Sequence, residues 1–189
     1  AFFYDYENLQ FQATDPDIYR GGVANIPEVE VKGGEIELVA LLSDSITLDV
    51  KMAFLESEIT ASYEALDNVK AEPYFFGQEA IRYSLREDIN GNDLAKTPDF
   101  TANVSLRYET TMEAGHEITG ILEYIHRGEF QQRVINNPTV DVVPSYNVLN
   151  LMVSVDPADK DWGFDVMVYN ATDEDGVNSR MTDVFGVSA

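Results

Sequence analysis

The stretch Ile46–Phe54, ITLDVKMAF, shows one pattern without a break. Every second residue is apolar, and the positions between them hold Thr, Asp, Lys and Ala. A period of two is that of a β-strand, because successive side chains of a strand point to opposite faces of the sheet. One face of the predicted strand is therefore fully apolar, and the other carries both signs of charge.

The same alternation recurs in segments bounded by Gly, Pro, Asn and Asp, as expected of strands joined by turns. We predict seven strands, at Phe2–Gln12, Glu28–Leu42, Ile46–Phe54, Phe100–Glu109, Ile118–Phe130, Tyr146–Val155 and Trp162–Tyr169. The alternation slips at Glu7–Asn8 and at Gly33–Gly34, which predicts a β-bulge in each of the first two strands. Most segments approach the ~9–11 residues with which a tilted strand crosses a bilayer.

Short and long connections take turns along the chain. The tight turns are Ser43–Ser45, Thr110–His116 and Asp156–Asp161, and the long loops are Ala13–Pro27, Ser57–Asp99 and Gln131–Ser145. In an antiparallel meander this order collects the tight turns at one end and the long loops at the other, which is typical of outer-membrane barrels. The sequence thus predicts an all-β, antiparallel up-and-down meander, a portion of a transmembrane outer-membrane β-barrel with about seven strands present.

Aromatic residues near the strand ends predict a girdle at each membrane interface. The long-loop girdle would contain Phe54, Phe100 and Tyr146, and the short-turn girdle would contain Phe2, Tyr108 and Trp162.

Each strand of such a barrel has a lipid face and a lumen face. The residues predicted to face lipid are Ile46, Leu48, Val50, Met52, Phe54, Val104, Leu106, Trp162, Phe164 and Val166. The charged residues predicted to face the lumen are Asp49, Lys51, Arg107, Glu123 and Arg127. A half-buried strand of a soluble sheet shows the same alternation, so the long loops are needed to favour the barrel.

Composition limits the classes of partner. The 189 residues carry a formal net charge of −22, so a phosphate backbone would be repelled and no nucleic-acid partner is expected. Cysteine is absent, which excludes a thiolate metal site or a Cys nucleophile in this chain. The apolar run Leu38–Leu42 is far shorter than the roughly 20 residues of a spanning helix, so we expect no helical anchor.

No motif for catalysis or for a cofactor occurs, and we predict no catalytic residue, no cofactor and no metal site. The histidines, His116 and His126, lack the spacing of a zinc-binding helix. The acidic segments Arg86–Asp93 and Asp173–Asn178 lack the pattern of a calcium loop, although divalent cations could still bind to them.

The longest predicted loop is the best candidate for ligand binding. Its segment Glu72–Asp88 combines aromatic rings and guanidinium groups, which supply rigid contact area and directional donors. The candidate ligand contacts are Tyr74, Phe75, Phe76, Arg82, Tyr83 and Arg86. Equally, these aromatic residues could pack the loop against itself.

Six segments in order resemble successive barrel strands of the TonB-dependent outer-membrane receptors. They are FFYDYENLQ, VANIPEVEVKGGEIEL, DSITLDVKMAFLESE, KTPDFTANVSLRYE, PSYNVLNLMVSVDPAD and WGFDVMVYNATDEDG. The most specific parts are VEVKGGEIEL, TPDFTANV and VYNATDED, the last being similar to the Asn-x-x-Asp segment that closes the family's penultimate strand. The resemblance covers nearly the whole chain and identifies it as the C-terminal part of such a barrel.

The resemblance implies a function and partners. Receptors of this kind import a scarce nutrient, such as a ferric siderophore or a glycan, across the outer membrane of a Gram-negative bacterium. The expected partners are outer-membrane lipid, a small-molecule or glycan substrate, and TonB acting through a plug domain. Residues 1–189 lack a plug domain and stop at VFGVSA, before the family's last strand with its terminal aromatic, so we expect a partial barrel domain.

Two alternatives follow from the strand pattern. One is a secreted, soluble all-β protein that binds a small ligand or a glycan, which would need no detergent to stay in solution. The other is a passive porin, which would have no plug domain.

Overall fold

The structure is a computed structural model that describes residues 1–14, 21–67, 69–70, 85–183 and 186–188. Apart from single 3-10 turns at residues 69–70 and 85, the regular elements of the described residues are β-strands. They are β1 Phe2–Thr14, β2 Gly21–Ser43, β3 Ile46–Ile59, β4 Glu64–Leu66, β5 Arg86–Asp88, β6 Phe100–Thr111, β7 Glu117–Arg127, β8 Phe130–Gln131, β9 Val142–Val143, β10 Tyr146–Asp156, β11 Phe164–Val168, β12 Met181–Asp183 and β13 Gly186–Ser188. Within this described part, no helix is long and apolar enough to cross a membrane.

A seven-stranded antiparallel sheet forms the body of the molecule, in the order β1-β2-β3-β6-β7-β10-β11. This order is that of an up-and-down meander, so the predicted fold class is confirmed. Three small two-stranded sheets, β4–β5, β8–β9 and β12–β13, lie outside it. We call residues 60–99 loop A and residues 128–145 loop B.

Several strands differ in extent from the prediction. β1 and β2 pair as far as Thr14 and Gly21, so most of the predicted loop Ala13–Pro27 is strand. The fifth predicted strand ends at Arg127, and Phe130 begins the separate strand β8. β11 holds only Phe164–Val168.

The register defines two faces of the sheet. Val50 of β3 lies opposite Leu38 of β2 and Val104 of β6, and we call the side of the sheet that they share the Val50 face. Lys51 lies opposite Glu37 and Asn103, on the Lys51 face. The residues predicted to face lipid in β3, β6 and β11 all share the Val50 face. The five charged residues predicted to face the lumen all share the Lys51 face.

The predicted bulge at Gly33–Gly34 is wrong. Pairing of β2 with β3 runs through both glycines without a shift, and the irregularity lies between Leu41 and Ser43. The apparent slip has another cause, because the apolar positions change face along β2. Val31 lies on the Lys51 face and Ile36 on the Val50 face, while the backbone alternates normally.

The first predicted bulge, at Glu7–Asn8, is also not a change of register. Glu7 pairs with Glu28 and Leu9 pairs with Ile26, so the antiparallel register is the same on both sides of Asn8. Asn8 instead adopts a left-handed backbone with φ of 57°. Asn tolerates this conformation better than most residues, and a single such residue re-aims the side chains that follow it.

The buried core lies at the long-loop end, between the sheet and the loops. Its buried members are Ile26, Val29, Val31, Ile59, Ala65, Ile89 and Val134. They come from β2, β3, β4, loop A and loop B, so the loops cover the Lys51 face at this end. Burial of each large aliphatic side chain contributes about 1.5–3 kcal/mol.

The predicted girdles are only partly correct. Phe54 and Phe100 stack on the Val50 face with ring centroids 4.7 Å apart, at the long-loop end. Tyr146 pairs with Arg127 and therefore lies on the Lys51 face. Phe2 pairs with Gly33, level with Leu55, and so lies far from the short turns. At the short-turn end, Tyr108 and Trp162 are exposed as expected.

Candidate ligand-facing surface

The Val50 face carries an apolar band that is open to its surroundings. Leu38, Val153 and Val166 are each between 43% and 50% exposed, although each lies in a strand that pairs with a neighbour. A wide apolar band on one face of an antiparallel sheet is typical of a barrel surface that meets lipid. Its upper limit is the Phe54–Phe100 pair.

Beyond that aromatic pair the same face becomes charged. Lys32 and Glu56 lie opposite each other and form a 2.7 Å ion pair. The next row contains Asp5, Glu30 and Glu58. The pKa of Lys32 is raised, first by its hydrogen bond to Glu56 and then by the charge of that carboxylate. The apolar band thus ends where a water-exposed rim begins.

The Lys51 face is polar along the middle of the sheet. Glu123 accepts hydrogen bonds from the amides of Asn103 and Asn150, both at 2.9 Å. Lys51 lies 4.0 Å from Asp49. Most of these side chains keep part of their area exposed, so this part of the Lys51 face is not a dry core.

Loops A and B are joined to each other and to the sheet. The side-chain amide of Asn92 in loop A donates to the carbonyl oxygens of Val134 and Ile135 in loop B, at 2.9 and 3.0 Å. The N–H of Leu94 donates to Ser57 Oγ of β3 at 3.0 Å. The described parts of the two loops therefore form one folded unit on the Lys51 face, which we call the loop cap.

An ion network is buried inside the loop cap. Asp67 of loop A and Asp141 of loop B are both fully buried, and Arg133 lies between them. Arg133 Nη1 donates to Asp67 at 3.1 Å, and its Nε donates to Asp141 at 2.6 Å. Asn137 also donates to both carboxylates. Buried carboxylates persist only with such partners, so the network holds together segments that are 66 residues apart.

A cleft of about 410 Å³ lies between β1 and the loop cap. Its walls are apolar at Phe11, Leu66 and Val134, and polar at Lys96 and Arg133. Concave, mostly apolar surfaces with a few polar groups are the usual form of a small-ligand site.

Of the six predicted ligand contacts, the structure describes Arg86. Tyr74, Phe75, Phe76, Arg82 and Tyr83 lie outside the described residues. Arg86 lies in β5, and its Nη1 donates to Glu64 Oε2 of β4 at 3.2 Å.

Sequence reasoning missed the network of Asp67, Arg133 and Asp141. Single charged residues in an acidic loop carry no periodic signal, so no local pattern could have singled them out.

In loop A, the carboxylate of Asp88 accepts its hydrogen bonds from groups of the same loop. Asp88 accepts hydrogen bonds from the N–H of Asn90, the hydroxyl of Ser62 and the N–H of Tyr63, and these hold its pKa below the ordinary value. Burial raises the pKa of Asp93, with the charge of Asp99 adding to it. Among the residues that the structure describes, no group of three or more His, Asp or Glu is placed to hold a metal ion.

An antiparallel meander with an exposed apolar band, a polar opposite face and long connections at one end defines a segment of an outer-membrane β-barrel. A family model described as TonB dependent receptor-like, beta-barrel matches residues 1–171. The chain belongs to this family, which confirms the resemblance seen in its strands. A comparison with curated protein sequences found no match.

Membership assigns a general role. The family consists of receptors and transporters of the Gram-negative outer membrane, which work with TonB on small substrates. It is a family of receptors and transporters rather than of enzymes. This assignment favours the membrane interpretation over a secreted soluble binding protein.

Proposed function

We propose that this chain is the barrel part of a receptor that imports a scarce nutrient by energy-coupled transport, with a ferric siderophore or a glycan as the substrate. The observation that carries the proposal is the loop cap, which is folded over the Lys51 face and borders a cleft of about 410 Å³. A concave surface of this size with a few polar groups suits the capture of a small ligand.

In this proposal the Val50 face meets outer-membrane lipid and the Lys51 face meets the aqueous lumen. Exposed aliphatic side chains on the first face and the Asn103–Glu123–Asn150 hydrogen bonds on the second support this orientation. The long-loop end then faces the outside of the cell, where the loops capture the substrate. TonB acts from the opposite end through a plug domain.

An uptake experiment tests energy coupling. Cells that depend on the intact receptor are given a labelled ferric siderophore or a labelled oligosaccharide, with and without an uncoupler of the proton gradient. We expect uptake to stop with the uncoupler and in a strain lacking TonB. Uptake that continues at an unchanged rate in both conditions would identify a passive porin instead.

Growth assays with the same cells test the class of substrate. Growth under iron limitation that requires the receptor supports a siderophore, and growth on a polysaccharide that requires it supports a glycan. If neither growth condition depends on the receptor, the substrate named in this proposal is wrong.

A further inference from the structure

Residues 170–180 form a strap that follows β11 and crosses the long-loop end of the Lys51 face. They contain turns and irregular backbone but no strand. Arg127 Nη2 donates to the carbonyl oxygen of Val177 at 2.5 Å, and its Nη1 donates to Asn178 Oδ1 at 3.3 Å. The hydroxyl of Tyr146 donates to the same Asn178 oxygen at 3.4 Å. Two oxygens of the strap thus lie in front of one guanidinium fork.

The plane of that guanidinium is held by aromatic rings. The centre of the Arg127 guanidinium lies 4.7 Å from the ring centroid of Phe130 and 4.5 Å from that of Tyr146. Cation–π contacts of this kind orient an arginine without neutralising its charge. The Nη1 and Nη2 groups of Arg127 therefore keep a fixed direction, toward the acceptor atoms in front of them.

Arg127 differs from other cations of this acidic chain. Lys32, Arg107 and Arg133 each form an ion pair with a carboxylate. Within the described residues, no carboxylate lies within 4 Å of the Arg127 guanidinium, and its buried Nε has no hydrogen-bond partner.

We propose that Arg127 is a binding residue for a carboxylate group of the transported ligand, and that Val177 and Asn178 occupy its place in the closed strap. This inference rests on the proposed function, since the ligand must arrive from the long-loop end. A carboxylate offers two acceptor oxygens and a negative charge to the arginine fork, and such bidentate pairs add energy and geometric specificity that the neutral oxygens of the strap do not supply. The ligand therefore displaces the strap.

The strap is held at its start by hydrogen bonds and is exposed beyond it. The side chain of Asn170 exchanges two hydrogen bonds with the backbone of Glu174, both at 3.0 Å. The N–H of Asn170 also donates to Asn150 Oδ1 of β10 at 3.0 Å. By contrast, residues 171–176 are all exposed. The turn at Asn170 serves as a hinge, and the contacts with Arg127 serve as a latch.

The negative charge of the chain does not prevent this binding. Repulsion between separated charges is screened beyond about 8 Å at 0.15 M salt. The contact with Arg127 is short-ranged, and it gains from the absence of a competing carboxylate in the described surroundings.

The experiment measures the position of the strap in the intact receptor. Nitroxide labels are placed at Asp175→Cys on the strap and at Thr139→Cys on loop B, both of which are exposed positions. The chain has no cysteine of its own, and any cysteine elsewhere in the receptor is replaced first. Pulsed EPR then gives the distance between labels while citrate, the carboxylate probe, is titrated in, with sodium chloride at equal ionic strength as a control.

We expect citrate, but not sodium chloride, to convert the population to a longer distance. Asn178→Ala removes one latch acceptor and should lower the citrate concentration at the midpoint roughly tenfold. Ser179→Ala, one residue further on, should leave the midpoint unchanged. Arg127→Gln should abolish the response to citrate, and Arg127→Lys, which keeps the charge but lacks the fork, should weaken it.

A distance that citrate does not change in the unmodified receptor overturns the proposal, and so does an equal response in Arg127→Gln. The uptake assay is independent of this result. Uptake that requires TonB, together with a strap that does not respond to citrate, would support the proposed function and overturn the inference. A strap that responds to citrate through Arg127, together with uptake that does not require TonB, would support the carboxylate site and overturn energy-coupled transport.

Discussion

At the scale of single residues, Arg133 holds the loop cap together because it pairs with two carboxylates that water does not reach. Arg133→Met would leave Asp67 and Asp141 buried without their cation, at a cost of about 3–5 kcal/mol. We expect loops A and B to become sensitive to protease in the intact receptor. The rate of cleavage in each loop, followed by mass spectrometry, measures the effect.

The matched control is Arg107→Met. Arg107 pairs with Glu109 in an exposed position, and such pairs contribute about 0–1 kcal/mol. Its cleavage rates should equal those of the unmodified receptor. Equal rates in the two variants would show that the buried network does not secure the loops.

Val50 and Lys51 are neighbours on opposite faces of β3. If the Val50 face meets lipid, Val50→Arg near the bilayer midplane costs roughly 2–4 kcal/mol of folding free energy. Lys51→Arg keeps the charge on the other face and should be nearly silent. Urea titrations of the intact receptor in lipid vesicles give both values, and equal losses would rule out the assignment of the faces.

At the scale of elements, β2 shows why strand pattern alone misleads. Its apolar residues lie on the Lys51 face under the loop cap, at Val29 and Val31, and on the Val50 face lower down, at Ile36 and Leu38. The strand itself does not slip. When the covered face of a strand changes along its length, the apolar positions shift phase in the sequence just as they do at a bulge.

Gly33 is required where β2, β3 and β1 come close. A Cβ on Gly33 would collide with the backbone carbonyl of Phe54 and with the ring of Phe2, whereas a Cβ on Gly34 would meet nothing within 4 Å. Gly33→Ala should therefore cost about 1–3 kcal/mol, as overpacking does. Gly34→Ala should be neutral or slightly stabilising, because it restricts the unfolded chain.

The urea midpoint of the intact receptor in micelles distinguishes these two glycine variants. A lower midpoint is expected for Gly33→Ala alone. If both variants shift the midpoint equally, close approach of the strands is not the reason for glycine at position 33.

At the scale of the whole molecule, the exposed apolar band makes folding depend on an apolar solvent. We expect the 189-residue chain, diluted from urea into plain buffer, to aggregate, and to gain β-structure when micelles are present. Circular dichroism and light scattering follow the two properties. A monodisperse, β-rich monomer in plain buffer would contradict the lipid-facing assignment and favour a soluble binding protein.

The number of main strands and their order were readable from local pattern, whereas most of the predicted long loop Ala13–Pro27 is strand. Period-two alternation is a property of neighbouring residues, so segments such as Ile46–Phe54 and Phe100–Glu109 predict their own strands and their own two faces. The shared face of Asp49, Lys51 and Arg107 follows from the same rule.

Contacts between distant segments required the tertiary structure. Asp67, Arg133 and Asp141 meet because loops A and B fold back onto one end of the sheet, and no spacing along the chain encodes that path. Tyr146 lies on the Lys51 face because of its pairing with Arg127, although its position at a strand end suggested a girdle. Local sequence sets strand and alternation, since these depend on adjacent residues, whereas the burial of each face depends on which remote segment covers it.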